Sequence, residues 1–240
     1  MKTIIVIPSR MASKRFPNKP MALIKGKPMI QRVWEQAVAS NLGDVIVACS
    51  EKEVYNLITS LNGRAELTNP NLPSGTDRIF SAIQNLSNIK KYESIINLQG
   101  DMPIINPKDI EKVNIPLKQG FDIGTLVTSF KNEKEINNKN ITKAQIEWIK
   151  KDFIGKAIDF NKDFKLLNGK SLYHHVGIYS FRYEILEKFV SLSPSKNEKI
   201  RQLEQMRALD SRISIGVGYV KNVPNSVDTK EDLLEIERLI

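Results

Sequence analysis

Apolar residues along this chain alternate between short continuous runs and stripes at helical spacing. Ile4–Ile7 is one such run, ending at Pro8, and Val45–Cys49 and Ser94–Leu98 are two more. Runs this short and this uniformly apolar predict strands covered on both faces, as in a parallel sheet. Between them the period changes. Met29, Ile30, Val33, Trp34, Ala37 and Val38 follow Pro28 at helical spacing. Val54, Leu57, Ile58 and Leu61 do the same after Ser50, as do Ile79, Phe80 and Ile83 after Thr76. Asp122–Ser129 reads as a further strand. Strands alternating with helices predict an α/β fold built on a doubly wound, mostly parallel sheet.

The second half is less regular. Residues 131–170 are rich in Lys and Asn, with one ambiguous apolar patch at Ile146–Ile149. His175–Phe181 alternates like a strand, Tyr183–Val190 reads as a helix, and Ile213–Val217 reads as a strand. Ile200, Leu203, Met206 and Leu209 predict one helix over Glu198–Leu209. Thr229 is placed to cap a last helix that turns Leu233 and Ile236 inward. We read residues 1–240 as a single domain, with a smaller mixed lobe at about 131–220 within it.

A chain of 240 residues, 41% hydrophobic and 26% charged, can bury a substantial core. The single Cys49 excludes a disulfide framework and suits a reducing cytoplasm. No secretory apolar segment precedes Pro8 and no apolar run reaches membrane-spanning length, so a cytoplasmic protein without membrane insertion is expected. The net charge of +9 favours polyanionic ligands. No helix-turn-helix, zinc-finger or RNA-binding pattern accompanies it, so nucleic acid is not an expected partner.

The loop after the first strand changes this picture most. It carries Arg10, Lys14, Arg15, Lys19 and Lys25. Cations at the carboxyl edge of an α/β sheet point to a phosphorylated ligand. Asp101 follows a core strand through Gly100, and Asp228 directly precedes the last helix. Either aspartate also reads as a turn or cap residue, but loop carboxylates suit Mg²⁺, which takes oxygen ligands and commonly arrives with nucleotide phosphates. A cationic loop with two such carboxylates is what metal-assisted nucleotidyl transfer requires.

Several motifs, taken in order, carry a resemblance. Arg10 with Ser13-Lys14-Arg15-Phe16-Pro17-Asn18-Lys19-Pro20 resembles the phosphate loop of sugar-acid cytidylyltransferases. Ser74-Gly75-Thr76-Asp77-Arg78 resembles their nucleotide loop, and Gln99-Gly100-Asp101-Met102-Pro103 their acidic strand end. His175-Val176-Gly177-Ile178-Tyr179, Glu198-Lys199-Ile200 through Glu204-Gln205-Met206-Arg207, and Val227-Asp228-Thr229 complete the set. Together they resemble the 3-deoxy-manno-octulosonate (Kdo) cytidylyltransferase family.

That resemblance implies a nucleotidyltransferase (GT-A-like) fold and transfer of CMP from CTP to Kdo, with release of pyrophosphate, for lipopolysaccharide synthesis. It implies Mg²⁺ held by Asp101 and Asp228, and a catalytic set of Lys19, Asp101 and Asp228. Arg10, Arg15 and Lys19 would bind the triphosphate, and Ser74, Gly75, Arg78 and Gln99 the cytidine. His175, Tyr179, Glu204 and Gln205 would line the sugar site. The family is usually dimeric, so a homodimer is implied, and the apolar His175–Phe181 strand offers one surface for it. The chain departs from the family pattern at Asn161-Lys162, where a Ser-Arg pair is usual. A cytidylyltransferase for another ulosonic acid, such as 8-amino-Kdo, therefore stands as an alternative. A non-catalytic nucleotide-binding protein is the alternative of a different class. A sugar-1-phosphate nucleotidyltransferase would need a further cationic site. A dinucleotide-binding oxidoreductase would need a glycine fingerprint after the first strand.

Overall fold

In a computed structural model the opening apolar run becomes strand β1 (Thr3–Ser9), inaccessible to solvent from Ile4 to Ile7. The structure describes residues 1–240 except Ser13, Lys14, Asn85 and Lys170. The loop cation Lys14 and the motif residue Ser13 thus lie outside the described residues. The chain forms two units, Met1–Glu111 with Pro224–Ile240, and Lys112–Val223. No helix among the described residues is long and apolar enough to cross a membrane.

In the first unit β1 is followed by a small hairpin of β2 (Leu23–Ile24) and β3 (Lys27–Pro28). Its two-residue turn, Lys25-Gly26, takes positive φ at both positions (41° and 76°), the turn that matches strand twist. Then come β4 (Gly43–Cys49), β5 (Arg64–Leu67) and β6 (Ser94–Asn97). The order is β5-β4-β1-β6, and every pairing along it is parallel. Parallel neighbours need crossovers, and the helices Met29–Ala39, Lys52–Ser60 and Gly75–Gln84 occur between these strands. Gly100, past β6, is required by a close approach. A Cβ there would stand 2.8 Å from the Pro8 carbonyl oxygen.

The second unit contains β7 (Ile123–Thr128), β8 (Lys143–Lys150), β9 (Ile154–Asn161), β10 (Leu172–Phe181) and β11 (Ile215–Tyr219). The order is β10-β7-β11-β9-β8, and β8 also pairs with the start of β10. Among the described pairings of this unit only β11–β7 is parallel, so the parallel order expected of the sheet belongs to the first unit. Within the segment 131–170, read as largely aperiodic, Lys143–Lys150 and Ile154–Asn161 form a strand pair. Its register shifts at Gln145/Ile146 and at Trp148/Lys150, which breaks the alternation that would have revealed it. The smaller lobe expected at about 131–220 falls inside this unit.

The single helix expected over Glu198–Leu209 is two. Lys196–Arg201 starts on a Ser195/Glu198 capping box and stops at Gln202 in the left-handed region, and Met206–Asp210 follows. The break lets Arg207 grip Glu198 with both arms, Nε to Oε2 at 2.8 Å and Nη2 to Oε1 at 2.6 Å. On a continuous helix those residues would lie about 13 Å apart along the axis. Ile200, expected inside, is 68% exposed as a result.

Both side chains of this pair are nearly buried, so losing one strands the other's charge. Arg207→Leu should lower stability by roughly 3–5 kcal/mol in urea unfolding. A loss under about 1 kcal/mol, the worth of an exposed pair, would contradict that reading.

Candidate active site

The loop after β1 is shaped by one apolar anchor between cations. Phe16 packs with Ile24, Met29, Val227 and Ile236 in a buried cluster. Asn18 adopts the left-handed conformation, its N–H donates to the Met11 carbonyl at 3.1 Å, and the turn Lys19–Met21 begins there. Arg15 and Lys19 flank this anchored stretch. Val227 belongs to the same cluster, so burying it delivers its neighbour Asp228. The Val227 N–H donates to the Asp101 carbonyl at 2.9 Å, which joins the two aspartate-bearing segments.

Charges complete the arrangement. Lys19 Nζ lies 2.9 Å from Asp101 Oδ2 and 3.5 Å from Asp228 Oδ1, and it donates to the Val227 carbonyl at 2.8 Å. Arg15 Nη2 reaches Asp228 Oδ1 at 3.0 Å. Asp101, Asp228, Arg15 and Lys19 line one cavity of about 720 Å³, within the range of small-molecule sites. Arg10, Ser74, Gly75, Arg78 and Gln99 line it too, so the residues expected at a nucleotide and its metal share one wall. Among the described residues no three His, Cys, Asp or Glu side chains gather as a metal cluster, and the two aspartates share the Lys19 ammonium.

Several of these side chains have other commitments. The Ser74 hydroxyl accepts from Asp77 N–H at 3.1 Å and donates to its carboxylate at 2.7 Å, capping helix Gly75–Gln84. Arg78, 1% exposed, donates to Thr68 Oγ1 at 2.6 Å and to the Asn69 and Pro70 carbonyls at 3.2 and 3.4 Å. Its guanidinium therefore holds the 68–70 loop. Burial draws its pKa below the usual value, Arg10 pushes the same way, and Glu51 opposes them. Gln99 donates its amide N–H to Asn97 Oδ1 at 2.9 Å. Its Oε1 is left facing Gly75, where an added Cβ would sit 3.8 Å away. Pro8 and Ser9 also line the cavity. The Ser9 hydroxyl is buried without a hydrogen-bond partner, and nothing in the sequence had marked it.

The residues expected at the sugar lie in the second unit. A register shift between Val176 and Tyr179 bends β10. His175 and Tyr179 end up on one face, ring centroids 5.5 Å apart, with Phe160 against His175 at 5.1 Å. His174 turns elsewhere, stacked on Phe130 at 6.0 Å and 3.8 Å from Glu135. Thr125 Oγ1 organises the bend. It donates to the Ile178 carbonyl at 2.8 Å, so it accepts from His175 Nε2–H at 3.0 Å, which leaves His175 Nδ1 as an acceptor. Burial raises the Tyr179 phenol pKa far above its usual value, and Glu204 adds to the shift. Glu204 also lies 3.8 Å from Arg207, and Gln205 is buried beside it. On the strand offered as a dimer surface, Val176, Ile178 and Phe181 are buried, so their side chains present no free apolar face.

Residues 4–215 match the family model described as cytidylyltransferase. A 3-deoxy-manno-octulosonate cytidylyltransferase of Paramagnetospirillum magneticum is 41% identical over 99% of this chain and 97% of its own. The chain belongs to the 3-deoxy-manno-octulosonate cytidylyltransferase family. The Brucella anthropi member is 38% identical over 97% of this chain and 94% of its own. A solved CMP:2-keto-3-deoxy-manno-octonic acid synthetase complexed with CTP superposes with a TM-score of 0.89 at 29% identity, covering 100% of this chain and 98% of that one.

Burial holds the His175 pKa down at about 3 against an ordinary value near 6.5, with His174 adding to the effect. The folded state thus refuses a proton that the unfolded chain accepts, and stability falls as pH drops below the unfolded value. Between about pH 7 and about pH 5 the loss from this group should be roughly 2 kcal/mol. Urea midpoints across that range should show it, and His175→Gln should flatten the slope. An unchanged slope in that variant would place the pH response elsewhere.

Proposed function

We propose that the protein transfers CMP from CTP to the anomeric hydroxyl of Kdo and releases pyrophosphate. The observation that carries this reading is the gathering of Arg10, Arg15 and Lys19 on the same cavity wall as Asp101 and Asp228. The anomeric hydroxyl oxygen attacks the α-phosphorus and releases its proton to solvent, the bond from the α-phosphorus to the bridging oxygen breaks, and the cations hold the departing pyrophosphate. Gln99, oriented by one amide N–H donated to Asn97, presents an oxygen suited to the exocyclic amine of cytosine. Arg78 and Ser74 serve the nucleotide by fixing the cavity wall, through the 68–70 loop and the start of helix Gly75–Gln84.

Asp101 and Asp228 are the residues that would hold Mg²⁺. The ion commonly takes one or two carboxylates and fills its remaining positions with water and phosphate oxygens, and this pair already converges on one cation. When bound, the metal supplies charge neutralisation at the reacting phosphate. Lys19 supplies a fixed positive charge between the same carboxylates. In the second unit, His175 Nδ1, Tyr179, Glu204 and Gln205 provide the mixed donors and acceptors that a polyhydroxylated acid requires.

We read the chain as a nucleotidyltransferase whose doubly wound, parallel order lies in the first unit, with residues 131–220 as an acceptor-binding and dimerising lobe, working in the cytoplasm as a homodimer. Ile149, Phe153 and Ile158, around the β8–β9 turn, are exposed apolar side chains suited to burial against a second copy.

Purified protein with CTP, Mg²⁺ and Kdo should release pyrophosphate, and none without acceptor. Asp101→Asn should cut turnover by roughly 100-fold while keeping the thermal midpoint within a few degrees. Near-normal turnover in that variant would remove Asp101 from the chemistry, and wild-type silence with Kdo would remove the acceptor assignment.

A further inference from the structure

A carboxylate stands close behind the cationic loop, where an anion site would ordinarily exclude one. Glu51 Oε2 accepts the Met11 backbone N–H at 3.1 Å, and Oε1 accepts the Ser50 hydroxyl at 2.9 Å. Met11 lies between Arg10 and Ala12, which both line the cavity, whereas Glu51 does not line it. The contact spans 40 residues of sequence, from the end of β1 to the end of β4. The charge of Glu51 is also felt at Arg78 in the cavity wall, where it opposes repulsion from Arg10.

One side chain thus exerts two effects of opposite sign on a bound polyphosphate. Its hydrogen bond fixes the backbone that presents Arg10, and a preorganised cation binds more tightly than one that must be ordered on binding. Its negative charge repels the same ligand through space. We propose that Glu51 is a positioning residue that sets the Arg10–Ala12 segment for triphosphate through the Met11 N–H, while its charge holds polyphosphate affinity below what the loop could reach. This rests on the nucleotide reading of the cavity.

Glutamine and alanine separate the two effects, because both remove the charge and only glutamine keeps an acceptor for Met11. Calorimetric titration of CTP and CMP into wild type, Glu51→Gln and Glu51→Ala reads them, each at low and at high salt. Glu51→Gln should bind CTP roughly threefold tighter than wild type at low salt. The gain should be smaller for CMP and should shrink as salt is added. Glu51→Ala should bind CTP roughly tenfold more weakly than Glu51→Gln, the effect of one lost hydrogen bond. Equal affinity in the two variants would overturn the tether. A glutamine variant no tighter than wild type at low salt would overturn the charge effect. Hydrogen exchange of the Met11 amide provides a readout free of ligand, and it serves if the alanine variant fails to fold. Protection in wild type and Glu51→Gln supports the tether, and exchange at the unstructured rate overturns it. A wild type that binds no CTP would sink the nucleotide reading, and the exchange measurement would still report on the tether.

Discussion

One ammonium group draws three distant stretches of chain to a point. Lys19, in the loop after β1, meets Asp101, which is 82 residues away beyond β6, and the Val227 carbonyl, 208 residues away before the last helix. Ion pairs as accessible as these add little stability on their own. The apolar partners of the same segments contribute more, since burying Phe16 and Val227 in one cluster stabilises by roughly 1.5–3 kcal/mol each. The cluster sets which segments meet, and the charges set which way they face. A site built this way keeps its cationic loop and its carboxylates in fixed relation without a rigid secondary element beneath each residue.

The second unit shows the same economy with buried polar groups. Lys143 is fully buried, yet its ammonium donates to the backbone carbonyls of Asn138, Ile141 and Lys162, which uses every donor it has. Burial lowers its pKa and Asp163 counters the shift. Thr125 does comparable work at the bend of β10, joining His175 to the carbonyls of Val176 and Ile178. Two buried polar residues thus hold backbone in the second unit, Thr125 beside the expected acceptor residue His175 and Lys143 between the 138–141 stretch and Lys162.

Much of the first unit was legible because its determinants are local. The apolar runs at Ile4–Ile7 and Val45–Cys49 lie in β1 and β4, and Thr229 caps the last helix through a reciprocal pair with Asp232. The candidate nucleotide residues were legible as motifs, and they share a cavity. What escaped reading depends on partners far away in sequence. The Glu198–Leu209 helix breaks at Gln202 and Arg207 folds back on Glu198, a contact that spacing cannot show. The β8–β9 pair hides behind register shifts. The tether from Glu51 to Met11 leaves no sequence signature, since a glutamate before a helix reads only as a favourable first-turn charge.

The central claim is that Lys19 and Asp101 act as one coupled unit in setting the site. A double-mutant cycle with Lys19→Met, Asp101→Asn and the combined variant, read by urea unfolding, tests it most directly. Directly contacting partners that organise a shared arrangement should give a coupling energy of roughly 0.5 kcal/mol or more. Strict additivity of the two single changes would contradict the account, leaving the ammonium and the carboxylate as neighbours without mutual effect.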